Sequence, residues 1–134
     1  TRGRLARREF EAGQVLEYRY DAADRLIEVE NSHGPALRFV YDAADRLLRR
    51  EEIAGSAVQA TEYTYDDRDR LVSTKDALGK VTRYEYDRVP SPCVAQERPA
   101  RIIDAEGRAT SMRYDARMRL IESRDARGER TAYE

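Results

Sequence analysis

"YDAADRL" occupies Tyr20–Leu26 and returns letter for letter at Tyr41–Leu47, 21 residues on. Such an identity marks a repeat protein, and the repeat decides the fold before any local preference does. The Tyr-Asp pair recurs at Tyr20, Tyr41, Tyr65, Tyr86 and Tyr114, at intervals of 21, 24, 21 and 28. A glycine stands seven residues before four of these tyrosines, at Gly13, Gly34, Gly79 and Gly107. Gly55 is displaced to ten before Tyr65, which locates three extra residues in "SAVQATEY". Seven more lie in "RVPSPCVAQERP", between Asp87 and Ala100. Arg4-Leu5 aligns with Arg25-Leu26, and the closing "GERTAYE" with "GKVTRYE". The expectation is therefore six tandem units over residues 1–134, cut from a longer array, with a Pro-rich insertion at about 88–100.

Each unit reads as two strands and two tight turns. In "KVTRYEYD", Thr82, Tyr84 and Tyr86 alternate with Val81, Arg83 and Glu85, the period-two pattern of a half-buried strand. The segments "RLIEVE", "RLLRRE", "RLVSTK" and "RLIESR" supply the second strand. Between them lie "DAAD" (Asp21–Asp24, Asp42–Asp45) and "DAxG" (Asp76–Gly79, Asp104–Gly107, Asp125–Gly128). Both fit a three-residue type I turn closed by a left-handed residue, with Asp capping the first position. Turn signals about every ten residues leave no room for helices. About eleven short antiparallel strands in a meander are expected, as an all-β open strip whose outer strands are sticky edges.

Composition narrows the function. The 25 basic and 26 acidic residues nearly cancel, which argues against a nucleic-acid footprint gathered on one face. A single cysteine, Cys93, excludes an internal disulfide framework and, with one histidine, a zinc cluster. No apolar run approaches the ~18 residues that span a bilayer. Neither an initiator Met nor a signal peptide is present, and Thr1 reads as a cut end.

"YDAADRLIEVE", "YDDRDRLVSTKDALGKVTRYEYD" and "RPARIIDAEGRATSMRYDARMRLIESRDARGERTAYE" resemble the Rhs, or YD-repeat, proteins over essentially the whole chain. The resemblance implies a curved strip of β-hairpins belonging to a hollow β-shell. In bacterial polymorphic toxins and Tc toxin complexes such a shell encloses a C-terminal toxic domain, and animal teneurins carry a related barrel. Its usual first-turn glycine is Asp24, Asp45 and Asp69 here, and Met118 in the fifth unit, while the proline-rich stretch replaces a turn and its Arg-Leu. The family's terminating core segment, with its aspartyl autoproteolysis, has no counterpart in these residues, nor has a toxin domain. The resemblance thus implies wall rather than cargo: an exported or cell-surface bacterial structural segment, not an enzyme. Its partners would be neighbouring repeats and the enclosed toxin domain. The alternative is a surface module whose exposed tyrosines bind carbohydrate or a protein.

No catalytic, cofactor or metal residue is singled out. His33, in "NSHG", has no second histidine or cysteine nearby and reads as an exposed turn residue. Cys93 lacks a neighbouring base. Asp66–Asp69 ("DDRD") cluster carboxylates without the spacing or glycine of a calcium loop. The Tyr-Asp pairs read as architecture, because catalytic groups come as one constellation and not as five even copies.

Register follows from arithmetic. Two turns of equal parity shift the ladder by an even number, but the period of 21 is odd, so successive tyrosine rows would fall on opposite faces. One compensating residue per unit is expected, either a difference in turn parity or an added β-bulge. The three-residue insertion before Tyr65 is expected to hold a bulge or a longer loop rather than extend the strands. Residues 87–100 are expected to leave the sheet, with pairing resumed around Arg101–Asp104.

Overall fold

The computed structural model describes residues 4–10, 13–86, 98–117 and 119–133. Among them there is no helix, and twelve strands follow one another: β1 (Leu5–Glu9), β2 (Val15–Tyr20), β3 (Leu26–Asn31), β4 (Ala36–Tyr41), β5 (Leu47–Ala54), β6 (Ala57–Tyr65), β7 (Leu71–Lys75), β8 (Val81–Glu85), β9 (Arg101–Ile103), β10 (Ala109–Tyr114), β11 (Leu120–Arg124) and β12 (Arg130–Ala132). Hydrogen-bonded neighbours follow chain order, an antiparallel meander. The chain divides into two compact halves, 1–63 and 64–134. No described residue is fully buried, as a single layer dictates. The proline-rich residues 87–97, including Cys93, lie outside the described residues, as does Met118. Pairing resumes at β9, where Arg101 opposes Glu85 and Ala100 N donates to Glu85 O at 2.8 Å.

Both turn types share one geometry. The amide of Asp21 donates to Arg25 O at 2.9 Å, and that of Asp24 to Asp21 O at 3.2 Å; Asp76, Gly79 and Lys80 repeat the pattern. The closing residue is left-handed in each, with φ of 60° at Asp24, 63° at Asp45, 62° at Asp69, 78° at Gly79 and 79° at Gly107. "NSHG" differs. Gly34 does not have a positive φ; a Cβ there would lie 2.6 Å from Asn31 Nδ2, the end of a side chain that would have to move aside.

Since both turns are centred on a residue, the odd period is absorbed elsewhere. Arg19 pairs with Glu28, but Tyr20 pairs with Leu26, leaving Ile27 as an extra residue. The same shift falls between Val40 and Tyr41, leaving Leu48, and between Arg113 and Tyr114, leaving Ile121. These are the expected bulges. In the N-terminal half, Tyr18 opposes Val29 and Val29 opposes Leu37, so Tyr18 and Tyr20 share a face with Leu37, Phe39 and Tyr41. In the C-terminal half, Tyr84 opposes Ile102 and Ile102 opposes Thr110, which places Tyr84 with Met112 and Tyr114. From Tyr86 to Tyr114 the interval is even, and the ladders through β9 run without a shift.

The insertion before Tyr65 overturns its expectation. β5 and β6 lengthen to 8 and 9 residues and stay paired out to Ala54↔Ala57. Their loop shortens to Gly55-Ser56, with Gly55 at φ 60°, the residue and place a type II′ hairpin turn requires. A two-residue loop reverses parity as a bulge would, and the longer strands gain ladder bonds that a longer loop would forgo.

Ile27 is therefore slack in the register. Its deletion would leave Tyr20↔Leu26 and Arg19↔Glu28 intact, at a cost of about 1 kcal/mol for one half-buried isoleucine. Deletion of Val29, two residues along, would instead move Glu28 opposite Tyr18 on the aromatic face. Urea melts of the two deletion variants should show a folded, mildly weakened protein for the first and a far larger loss for the second.

Candidate functional site

The most elaborated side-chain chemistry sits at the repeated Asp, Arg and Tyr. Asp21 Oδ1 accepts from the amides of Ala23 at 2.9 Å and Arg25 at 3.0 Å, and its Oδ2 takes the Arg25 guanidinium at 2.7 Å from both Nε and Nη2. Asp42 with Arg46, Asp66 with Arg70, Asp115 with Arg119 and Asp104 with Arg108 repeat this cap. Asp76 and Asp125 make the amide bonds while Lys80 and Glu129 hold the arginine position. The cap satisfies turn amides with a charged acceptor, the stronger kind of hydrogen bond.

The same arginine then reaches forward into the next unit. Arg25 Nη1 donates to Asp42 O at 2.9 Å and to Asp45 Oδ1 at 2.8 Å, and its guanidinium lies 5.2 Å from the Tyr41 ring centre. Tyr41 answers by donating its hydroxyl to Leu26 O at 2.9 Å. Arg70 and Leu71 hold Tyr86 in the same way, at 4.4 and 2.8 Å, and Arg4 stacks on Tyr20 at 4.4 Å. In the stacked pairs Arg4/Tyr20, Arg25/Tyr41 and Arg70/Tyr86 the arginine stands sixteen residues before its tyrosine, and Leu26 and Leu71 stand fifteen before theirs. Burial raises the Tyr86 hydroxyl above its usual value, so it stays a donor.

The spacing corrects the reading of the proline-rich stretch. Arg98 stacks on Tyr114 at 5.8 Å, and Tyr114 donates to Pro99 O at 3.2 Å. Arg98-Pro99 thus takes the place of Arg-Leu, which was expected to be missing. The signal was present in the sequence, as the distance back from Tyr114, but is invisible when counting forward from Asp87.

The remaining candidates stay apart. His33 is exposed, with Nδ1 2.8 Å from Ser32 Oγ and its amide on Asn31 Oδ1. Asp66 is committed to its cap and Asp69 to the left-handed turn position. Among the described residues no cluster of His, Cys, Asp and Glu could hold a metal ion.

A meander of short hairpins, each clasped by its arginine to the tyrosine of the next, defines a tandem β-hairpin repeat protein. The chain belongs to the RHS Repeat family, whose profile matches at residues 1–36, 20–57, 41–79 and 65–89, with successive matches starting on Tyr20, Tyr41 and Tyr65. No curated protein matches the sequence. Among solved structures, the crystal structure of TcdB2-TccC3-Cdc42 is similar, with a TM-score of 0.64 and 16% identity, over 83% of this chain and 6% of that one. That likeness is one of fold, and the chain spans a small part of the other's length.

At Asp45 the clasp offsets only part of the cost of a departure from glycine. A left-handed non-glycine residue costs about 1–2 kcal/mol, whereas its ion pair to Arg25, with the Asp45 side chain 73% exposed, is screened by solvent and returns only part of that. Asp45→Gly should raise stability by about 1 kcal/mol, and Asp45→Ala should lower it, in paired denaturant melts.

The caps also set an acid limit. The Arg25 side chain holds Asp21 below the ordinary aspartate value, as that of Arg108 does for Asp104. The amides of Arg46 and Arg119 do the same for Asp42 and Asp115. Burial pushes Asp66 upward but is outweighed by its bonds from Arg70 and Arg68. With folded values below unfolded ones, the stabilisation is complete above the ordinary value of 3.8 and disappears as pH falls through the lowered values. The melting temperature should stay flat down to about pH 5 and then drop, a trend that Asp42→Asn should blunt.

Proposed function

We propose that the chain is a wall segment of an Rhs-type β-shell, six units from a longer array, which encloses a toxin domain in an exported bacterial protein. The observation that carries this is the forward reach of each clasp. Arg25 and Leu26 complete their bonding on Tyr41 and Asp45 of the following unit, so a unit is finished only by its neighbour. Such a chain extends by nearest-neighbour contacts, as repeat architectures do. Family membership and a structural neighbour from a TcdB2-TccC3 assembly support the same reading. The mechanism is containment: paired strands form a continuous wall, and the partners are adjoining repeats and the enclosed polypeptide. No enzymatic step is assigned to the wall itself. A carbohydrate-binding surface would need free tyrosine faces, whereas Tyr41, Tyr86 and Tyr114 are half-buried, with arginines against their rings and hydroxyls spent on carbonyls.

The parent protein tests this. Its array should run into a terminating core segment and a variable C-terminal domain. In the purified parent that domain should resist added protease until the shell is opened by acid. A parent without such a domain, or with one digested as fast in the native protein as after acid opening, would sink the proposal.

A further inference from the structure

The register sorts charge in a way that net composition hides. In the C-terminal half, Ser73, Arg83 and Ile103 are cross-strand neighbours, as are Glu85, Arg101, Ser111, Arg124 and Arg130 in the next row. Arg113 and Glu122 form a third row. These residues all lie on the face opposite Tyr84 and Tyr114, because side chains alternate along a strand. That face of β7–β12 carries six cations (Lys75, Arg83, Arg101, Arg113, Arg124, Arg130) against two carboxylates, Glu85 and Glu122. The corresponding face of β1–β6 in the N-terminal half carries four arginines against six glutamates, knit into pairs such as Arg19–Glu28 and Arg38–Glu28.

The arginines of the basic face are exposed. Glu85 serves Arg101 at 3.2 Å, and Glu122 is shared by Arg113 at 3.4 Å and Arg130 at 3.1 Å. Among the described residues, Arg83 and Arg124 have no carboxylate partner, and Arg124 sits directly opposite Arg130, a like-charge pair that costs stability unless an anion is supplied. Between them the face carries Ile103, Ala109 and Ser111.

We infer that this face of the C-terminal half, centred on Arg83, Arg101, Arg124 and Arg130, is a docking surface for an extended polypeptide rich in glutamate and aspartate. Guanidinium forks match carboxylates in two-bond geometry, which favours arginine over lysine for this task. The strands place no aromatic residue on this face, so neither nucleobases nor sugar rings find the stacking platform that single-stranded nucleic acid or a glycan would use. The inference does not depend on containment and holds for the chain as it stands.

Fluorescently labelled poly-L-glutamate is the probe, with anisotropy read at increasing salt. The protein should bind it at low ionic strength and release it by about 0.5 M salt. Arg83→Gln with Arg124→Gln should weaken binding roughly tenfold, whereas Arg19→Gln with Arg38→Gln, an equal change in net charge on the other half, should change it less than about twofold. Far-UV circular dichroism confirms that both double variants keep the parent's strand signal. Equal losses in the two variants, or no binding by the unaltered protein at low salt, would overturn the inference. So would tighter binding of a heparin fragment or a single-stranded oligonucleotide. A salt-sensitive dimer, lost in the first variant and accompanied by no poly-L-glutamate binding, would assign the face to a second copy instead and equally defeat it.

Discussion

A single arginine per repeat does two jobs at once, and the sheet depends on it. Within its own unit it closes the aspartate cap of a tight turn; toward the next it lies over the tyrosine ring and bonds the following turn. Without a second layer to bury side chains, the protein cannot draw stability from a packed interior. It relies on half-buried aromatics whose polar ends are satisfied and whose faces are covered by guanidinium. Tyrosine suits this place because its ring supplies apolar area while its hydroxyl pairs with a strand-end carbonyl.

What the sequence made legible was what repeats in phase. The strand pattern around Tyr84 and Tyr86, the turn aspartates and the left-handed fourth position at Asp24 and Gly79 all follow from local chemistry. Parity then demanded an extra residue, and Ile27, Leu48 and Ile121 supply it. The "Gly-Ser" at 55–56 was misjudged because an insertion was presumed to lengthen a loop, although that dipeptide is itself a two-residue hairpin signal. The clasp was not legible, since its partners stand sixteen residues apart and meet only once two hairpins have folded. Nor was the basic face, which exists only after the register assigns each arginine a side.

The two faces therefore carry different kinds of information. Within each half the tyrosine face is uniform because it is held by the repeat's own geometry. The reverse face is free to vary, and it differs between the halves: glutamates and arginines are paired on β2–β5, whereas β8–β12 carry an arginine surplus. Neighbouring units with the same scaffold can thus present different electrostatic surfaces without any change to the turns that join them.

The bulge at Ile27 has a consequence for how such arrays evolve. Tyrosine rows stay aligned in units of 21, 24 and 28 residues, by a bulge, by a bulge with a two-residue turn, and by neither. The register therefore constrains the oddness or evenness of a unit rather than its length. A small insertion or deletion, which in most sheet proteins sends every later side chain to the wrong side, is absorbed here where a bulge or a change of turn restores the parity.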